Sequence, residues 1–144
     1  MKTMTQIIAA LLLIMSAPLY GDAAAVGGKW LSGDGDGLIA VHVDGTAVSA
    51  QILGSPNKDP NRPKTDVHNP DPKLRDRPLL GLDIFKGFTY DGNGEWSGGT
   101  IYDPNSGKTY SCKLKLVDPD TLKVRGYIGI SLIGRTETWK RLAN

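Results

Sequence analysis

Over residues 38–53 and 83–142 the chain runs in short stretches of strand-like apolar and polar alternation, most of them ending at a tight-turn sequence. Residues 38–43 and 47–53 flank Asp44-Gly45, a dipeptide that tolerates the positive φ of a two-residue hairpin. Residues 83–90 and 95–102 flank Asp91-Gly92-Asn93-Gly94. Asp103-Pro104-Asn105-Ser106-Gly107 then turns the chain into 108–117, and Asp118-Pro119-Asp120 turns it into 122–130. A last run spans 133–142. Within 108–117, Tyr110, Cys112, Leu114 and Leu116 share one face, against Thr109, Ser111, Lys113 and Lys115. Within 122–130, Leu122, Val124, Ile128 and Ile130 oppose Lys123, Arg125 and Tyr127. Period two marks strands with one buried face. No sustained helical period occurs, although residues 72–77 suit one short turn.

With residues 28–31 as the opening strand, the pattern predicts about eight strands in meander order. An antiparallel meander of that length removes its unpaired edges by closing on itself. The expected fold is therefore all-β: a single antiparallel barrel of about eight strands with one long Pro-rich loop. A two-sheet sandwich has similar strand content. Eight strands enclose either packed side chains or one small ligand. Glycines inside strands, such as Gly87, Gly99 and Gly126, suit bends at barrel corners.

Residues 1–25 form a separate object. Lys2, an unbroken apolar run over 7–15, and Ala23-Ala24-Ala25 follow the pattern of a secretory signal peptide. The expected division is a signal peptide over 1–25 and the barrel over 26–144, with a periplasmic or secreted location. No cysteine near the cut offers a lipid anchor, and no membrane span is expected in the mature protein. Removing the leader takes away Lys2 and Asp22, one charge of each sign, and leaves the net charge at +2. With no long basic run, nucleic acid is not an expected partner. Cys112 is the only cysteine, so no internal disulfide can staple the fold.

Residues 54–80 hold six of the nine prolines. Loops beyond about 12–15 residues are uncommon in compact domains and are usually functional or disordered. Prolines stiffen this one, and Leu74, Leu79 and Leu80 can pack. Its interleaved charges make Asp66, Asn69, Asp71, Arg75 and Arg77 candidates for a ligand-contacting or lid segment. The alternative is a belt bracing the barrel through Asp–Arg pairs. Asp66, His68 and Asp71 can also be read as an unspecific metal cluster, and Asp66 with Asp71 as paired carboxylates. No nucleophile elbow, phosphate loop or Ser-His-Asp pattern is present, so no enzyme activity, metal or cofactor is expected. Arg125, Tyr127, Arg135 and Glu137 lie on strands, mostly opposite the aliphatic face. Arg125 and Tyr127 join the candidate binding residues, because one inward arginine would receive a carboxylate head group.

Gly28-Lys29-Trp30 opens the first strand and Trp139-Lys140-Arg141 closes the last. This resembles the lipocalin and fatty-acid-binding superfamily, in which a G-x-W tryptophan plugs one barrel end under a basic residue of the final strand. The resemblance implies that Trp30 closes the barrel with Arg141, or otherwise Arg135. Longer matches extend it: T-D-V-H-N-P-D-P-K-L-R-D-R-P-L-L-G at 65–81, W-S-G-G-T-I-Y-D-P-N-S-G-K-T-Y at 96–110, L-K-V-R-G-Y-I-G at 122–129 and G-R-T-E-T-W-K-R at 134–141. Over nearly all of 26–142 the chain is similar to the bacterial secreted family catalogued as domain of unknown function 2147. That similarity implies a lipocalin-like (calycin-type) barrel and brings no activity. Many members of that family carry a cysteine pair near the second hairpin, which this chain lacks.

The leading expectation is an exported protein binding a small apolar or amphipathic ligand. The alternative is an envelope or host-facing interaction module with a solid barrel core. The interior separates the two: a lined cavity favours a carrier, and side chains meeting in the middle favour a solid module.

Overall fold

The computed structural model describes residues 22–143. Most of the expected signal peptide lies outside the described residues. Among the described residues nine strands follow one another: β1 (Gly28–Leu31), β2 (Leu38–Asp44), β3 (Ala47–Gly54), β4 (Phe85–Lys86), β5 (Thr89–Gly92), β6 (Glu95–Asp103), β7 (Lys108–Asp118), β8 (Thr121–Tyr127) and β9 (Gly134–Arg141). Every pairing between them is antiparallel. The order is β3-β2-β1-β9-β8-β7-β6-β4, with β5 also on β6. Because β1 pairs with β9, the first and last strands meet and the meander rolls up.

The seam between β3 and β4 is bridged by the exit of the long loop. Ile52 N–H donates to Leu82 O at 3.0 Å, Gly81 N–H to Ile52 O at 2.7 Å and Ile84 N–H to Ala50 O at 2.8 Å. Ile84 O in turn accepts from Tyr102 N–H at 2.9 Å. The result is a nearly closed all-β barrel whose eight-strand path matches the expected count. The ninth strand arises because the run expected over 83–90 breaks at Gly87, whose φ of 77° no β-branched residue would adopt. The break swings the Phe88 ring across Gly99, where an added Cβ would stand 2.4 Å from it.

Period two explains the core. Cys112, Leu114 and Leu116 of β7 and Leu122 and Val124 of β8 are all 2% exposed or less. Phe85 stacks on Trp139 at 5.6 Å between centroids, and Phe88 meets Phe85 edge-on at 5.1 Å. Each such buried ring or aliphatic contributes on the order of 1.5–3 kcal/mol by leaving water.

The last two strands are shorter than expected. The strand expected over 122–130 stops at Tyr127, and the last one runs Gly134–Arg141 rather than 133–142. Ile128 and Ile130, expected inside, stand 68% and 57% exposed. Past Tyr127 the backbone reverses through Gly129 at φ 77°, and Arg125 Nε holds the connection by donating to Ser131 O at 2.8 Å. The short turn expected near residue 72 is a 3-10 turn at Pro72–Leu74, capped by Asp71 Oδ1 accepting from Lys73 N–H.

Candidate functional site: the barrel mouth

One end of the barrel is plugged. A 3-10 turn at Ala23–Val26 lies under it, with Val26 fully buried. The Trp30 indole N–H donates to Val26 O at 3.0 Å. Arg141 sits with its guanidinium 4.4 Å from the Trp30 ring, a cation–π contact. Its N–H groups also donate to the carbonyls of Ala25, Gly27 and Pro119. Arg135, the alternative partner of Trp30, lines the cavity described next.

That cavity, of about 1130 Å³, opens at the other end. Its walls include Ile39, Ile52, Ile84, Ile101, Val124 and Trp139, and its rim is formed by the long loop and the connections after β1, β6 and β8. Arg62 of the loop pairs with Asp36 of the β1–β2 connection, and this pairing holds the Asp36 carboxyl below its usual range. The pair fastens the loop across the mouth.

The loop is braced by a buried carboxylate. Asp66 is fully buried and accepts from Arg77 Nε at 2.8 Å, Asn69 Nδ2 at 2.8 Å and the Tyr102 hydroxyl of β6. Burial acts to raise its pKa, but the hydrogen bonds from Tyr102, Asn69 and Arg77, with the Arg77 charge, outweigh it and hold the carboxyl below its usual range. Burial, then the bond to Asp66, push the Tyr102 hydroxyl up to about 12. The Arg77 guanidinium also lies 5.5 Å from the Tyr102 ring centroid. Arg75 Nε donates to Asn69 O at 2.8 Å, and Asn69 Oδ1 accepts from Asp71 N–H.

The sequence-selected residues therefore fall into separate places. Asp66, Asn69 and Arg77 form one hub whose hydrogen bonds are internal to the loop and Tyr102. Asp71 and Arg75 are exposed and shape the same turn. His68 is exposed on the cavity rim. Among the described residues no group of three or more His, Cys, Asp or Glu side chains is arranged to hold a metal ion. Arg125 faces outward, cross-strand from Lys113, while Tyr127 lies under the Lys113 ammonium at 6.0 Å and also borders the cavity.

Arg135 and Glu137 were expected mostly opposite the aliphatic face, and that is corrected for both. Glu137 pairs across from buried Val124, and Arg135 across from Gly126, in step with buried Trp139. Both line the cavity. Glu137 Oε2 accepts from the Trp139 indole N–H at 3.1 Å. Burial, with a smaller contribution from the Glu137 charge, pushes the Cys112 thiol up to about 12, so it stays protonated and unreactive. Counting two residues back from Trp139 would have placed Glu137 inside; the uncertain register past the glycines hid it.

A family model described as "Uncharacterized protein conserved in bacteria (DUF2147)" matches residues 28–141. Among curated proteins no sequence matches this chain. Among solved structures, the chain is similar to one described as "Protein HP1028 from the human pathogen Helicobacter pylori belongs to the lipocalin family". The TM-score is 0.71 at 23% identity, over 82% of this chain and 83% of that one. At that identity the likeness speaks for the fold: a lipocalin-like barrel.

Proposed function

The chain belongs to the bacterial DUF2147 family, and from that premise we propose that it is an exported carrier of one small apolar or amphipathic molecule. The observation that carries this reading is the cavity of about 1130 Å³, apolar in its walls, at the unplugged end of a lipocalin-like barrel. Ligand sites are concave, mostly apolar, and hold a few placed polar groups. This cavity supplies Arg135 and Glu137 as those groups and the Asp36–Arg62 pair as a clasp over its mouth. The loop at residues 54–80 serves as a braced rim, fastened to the β1–β2 connection through Arg62. The leader pattern of residues 1–25 supports export, to the periplasm or outside the cell. No helix among the described residues is long and apolar enough to cross a membrane.

Native mass spectrometry of protein purified from its own host tests the carrier reading. A retained small molecule, released on denaturation, is the expected result. Protein that emerges empty and also binds no apolar probe overturns it. The same sample tests export, with a mature N-terminus expected between residues 23 and 27; an intact Met1 on exported protein contradicts it.

A second reading, an interaction module, is favoured by one observation. Ile128, Ile130, Leu132 and Ile133 stand 57–86% exposed in the β8–β9 connection at the rim, the kind of apolar patch that marks contact surfaces.

A further inference from the structure

Glu137 is a carboxylate on the inner face of β9, beside Val124 and Trp139 and two residues deeper than Arg135. Three independent observations place it there. Its register partner Val124 is 2% exposed, its Oε2 accepts from the buried Trp139 indole, and its side chain lines the cavity wall. The Trp139 bond fixes the carboxylate, while Oε1 has no donor among the described residues. When no ligand is bound, water can solvate that oxygen. A purely hydrocarbon ligand filling the cavity would displace this water and leave a buried charge with a single neutral donor, which is strongly unfavourable. A ligand that brings its own N–H or O–H to Oε1 replaces the lost water with a charge-assisted hydrogen bond.

Resting on the carrier reading above, we infer that Glu137 is the specificity-determining residue of the cavity and that it selects amphiphiles carrying an amine or hydroxyl donor at their buried end. Simple hydrocarbons and ligands that present only acceptors to it are rejected. Arg135, two residues nearer the mouth on the same inner face, makes no side-chain hydrogen bond or ion pair among the described residues. Its charge disfavours a cationic group that stops at the rim, so an amine gains its partner only by entering as far as Glu137. The bland account of Glu137, that it merely satisfies the Trp139 indole, predicts no such selectivity.

The test is displacement of N-phenyl-1-naphthylamine, a neutral fluorescent probe, by decylamine, decanol, decyl methyl ether and decanoate below their aggregation concentrations. In the wild-type protein decanol, which has a donor, should displace the probe about tenfold more effectively than the ether, which has none. Glu137→Gln keeps an oxygen for the Trp139 indole but removes the charge. It should weaken decylamine about tenfold or more while decanoate binds as well as before or better, because the repulsion of its carboxylate is gone. Near-ultraviolet circular dichroism checks that the variant is folded; should it not be, the decanol–ether comparison on wild type decides alone. Equal displacement by decanol and the ether, or an unchanged decylamine-to-decanoate ratio in the variant, overturns the inference and leaves the carrier reading standing. Probe binding without displacement by any of the four does the same. Failure of the wild-type protein to bind the probe at all removes the carrier reading, and this inference with it.

Discussion

Asp66 shows how one residue can be conspicuous in a sequence for a reason other than the one it first suggests. In the linear text it is an acid among prolines and arginines. Folded, it is fully buried and saturated by donors from Arg77, Asn69 and Tyr102. Asp66→Asn would turn part of that acceptor into a donor facing donors, and should cost about 1–3 kcal/mol, read as a lowered Tm. The pH dependence has a definite sign. A carboxyl held below its usual range contributes stability that is present above its unfolded pKa of about 4 and is lost as pH falls through the folded value. Tyr102, pushed up to about 12, works in the opposite direction: its contribution is whole below about pH 10 and is lost as pH rises toward 12. Ultraviolet titration should find one tyrosine ionising near 12, and Asp66→Asn should bring it down. At the plugged end, Trp30→Ala should cost about 3–5 kcal/mol, as large core truncations do; a loss below about 1 kcal/mol would refute the closure by Trp30 and Arg141.

At the level of elements, the strands were legible because alternation and Asp-Gly turns are local. The long loop was not. Its stiffness was readable from its prolines, but its seat depends on a distant turn: the His68 carbonyl lies 1.9 Å from where a Cβ on Gly107 would stand. Gly107 has φ 71° as well, so Gly107→Ala meets both backbone strain and a backbone atom. That variant should lose more than about 1 kcal/mol and speed hydrogen exchange over residues 65–80. Unchanged exchange there would mean the loop does not rest on the β6–β7 turn. The stop of β8 at Tyr127 was also hidden, because Ile128 and Ile130 continue the alternation while the backbone leaves the sheet. Glu137 escaped for a related reason: face assignment needs a register, and glycines on neighbouring strands left that open.

The whole molecule divides into a solid half and a hollow half. Trp30, Leu116 and Leu122 fill the plugged end, while the opposite end opens into the cavity over Ile39, Ile52 and Trp139. Sequence predicted a barrel but not the hollowness, since a chain of this size can fill an eight-strand barrel with its own side chains. Gly126 offers a way to fill the cavity without disturbing the wall. It lies on β8 opposite Cys112 and Arg135, and a Cβ there would meet Tyr110 at 3.5 Å and Ile101 at 3.9 Å, ordinary contact distances. Gly126→Phe should therefore project a ring into the cavity while the barrel keeps its strand spectrum. The decisive measurement is a fluorescence titration of N-phenyl-1-naphthylamine into the wild-type protein and into Gly126→Phe. A hollow carrier predicts saturable one-to-one binding by the wild type and about tenfold or greater weakening in the folded variant, the scale of losing one well-buried contact. Absence of binding to the wild type, or equal binding by both proteins, would contradict it.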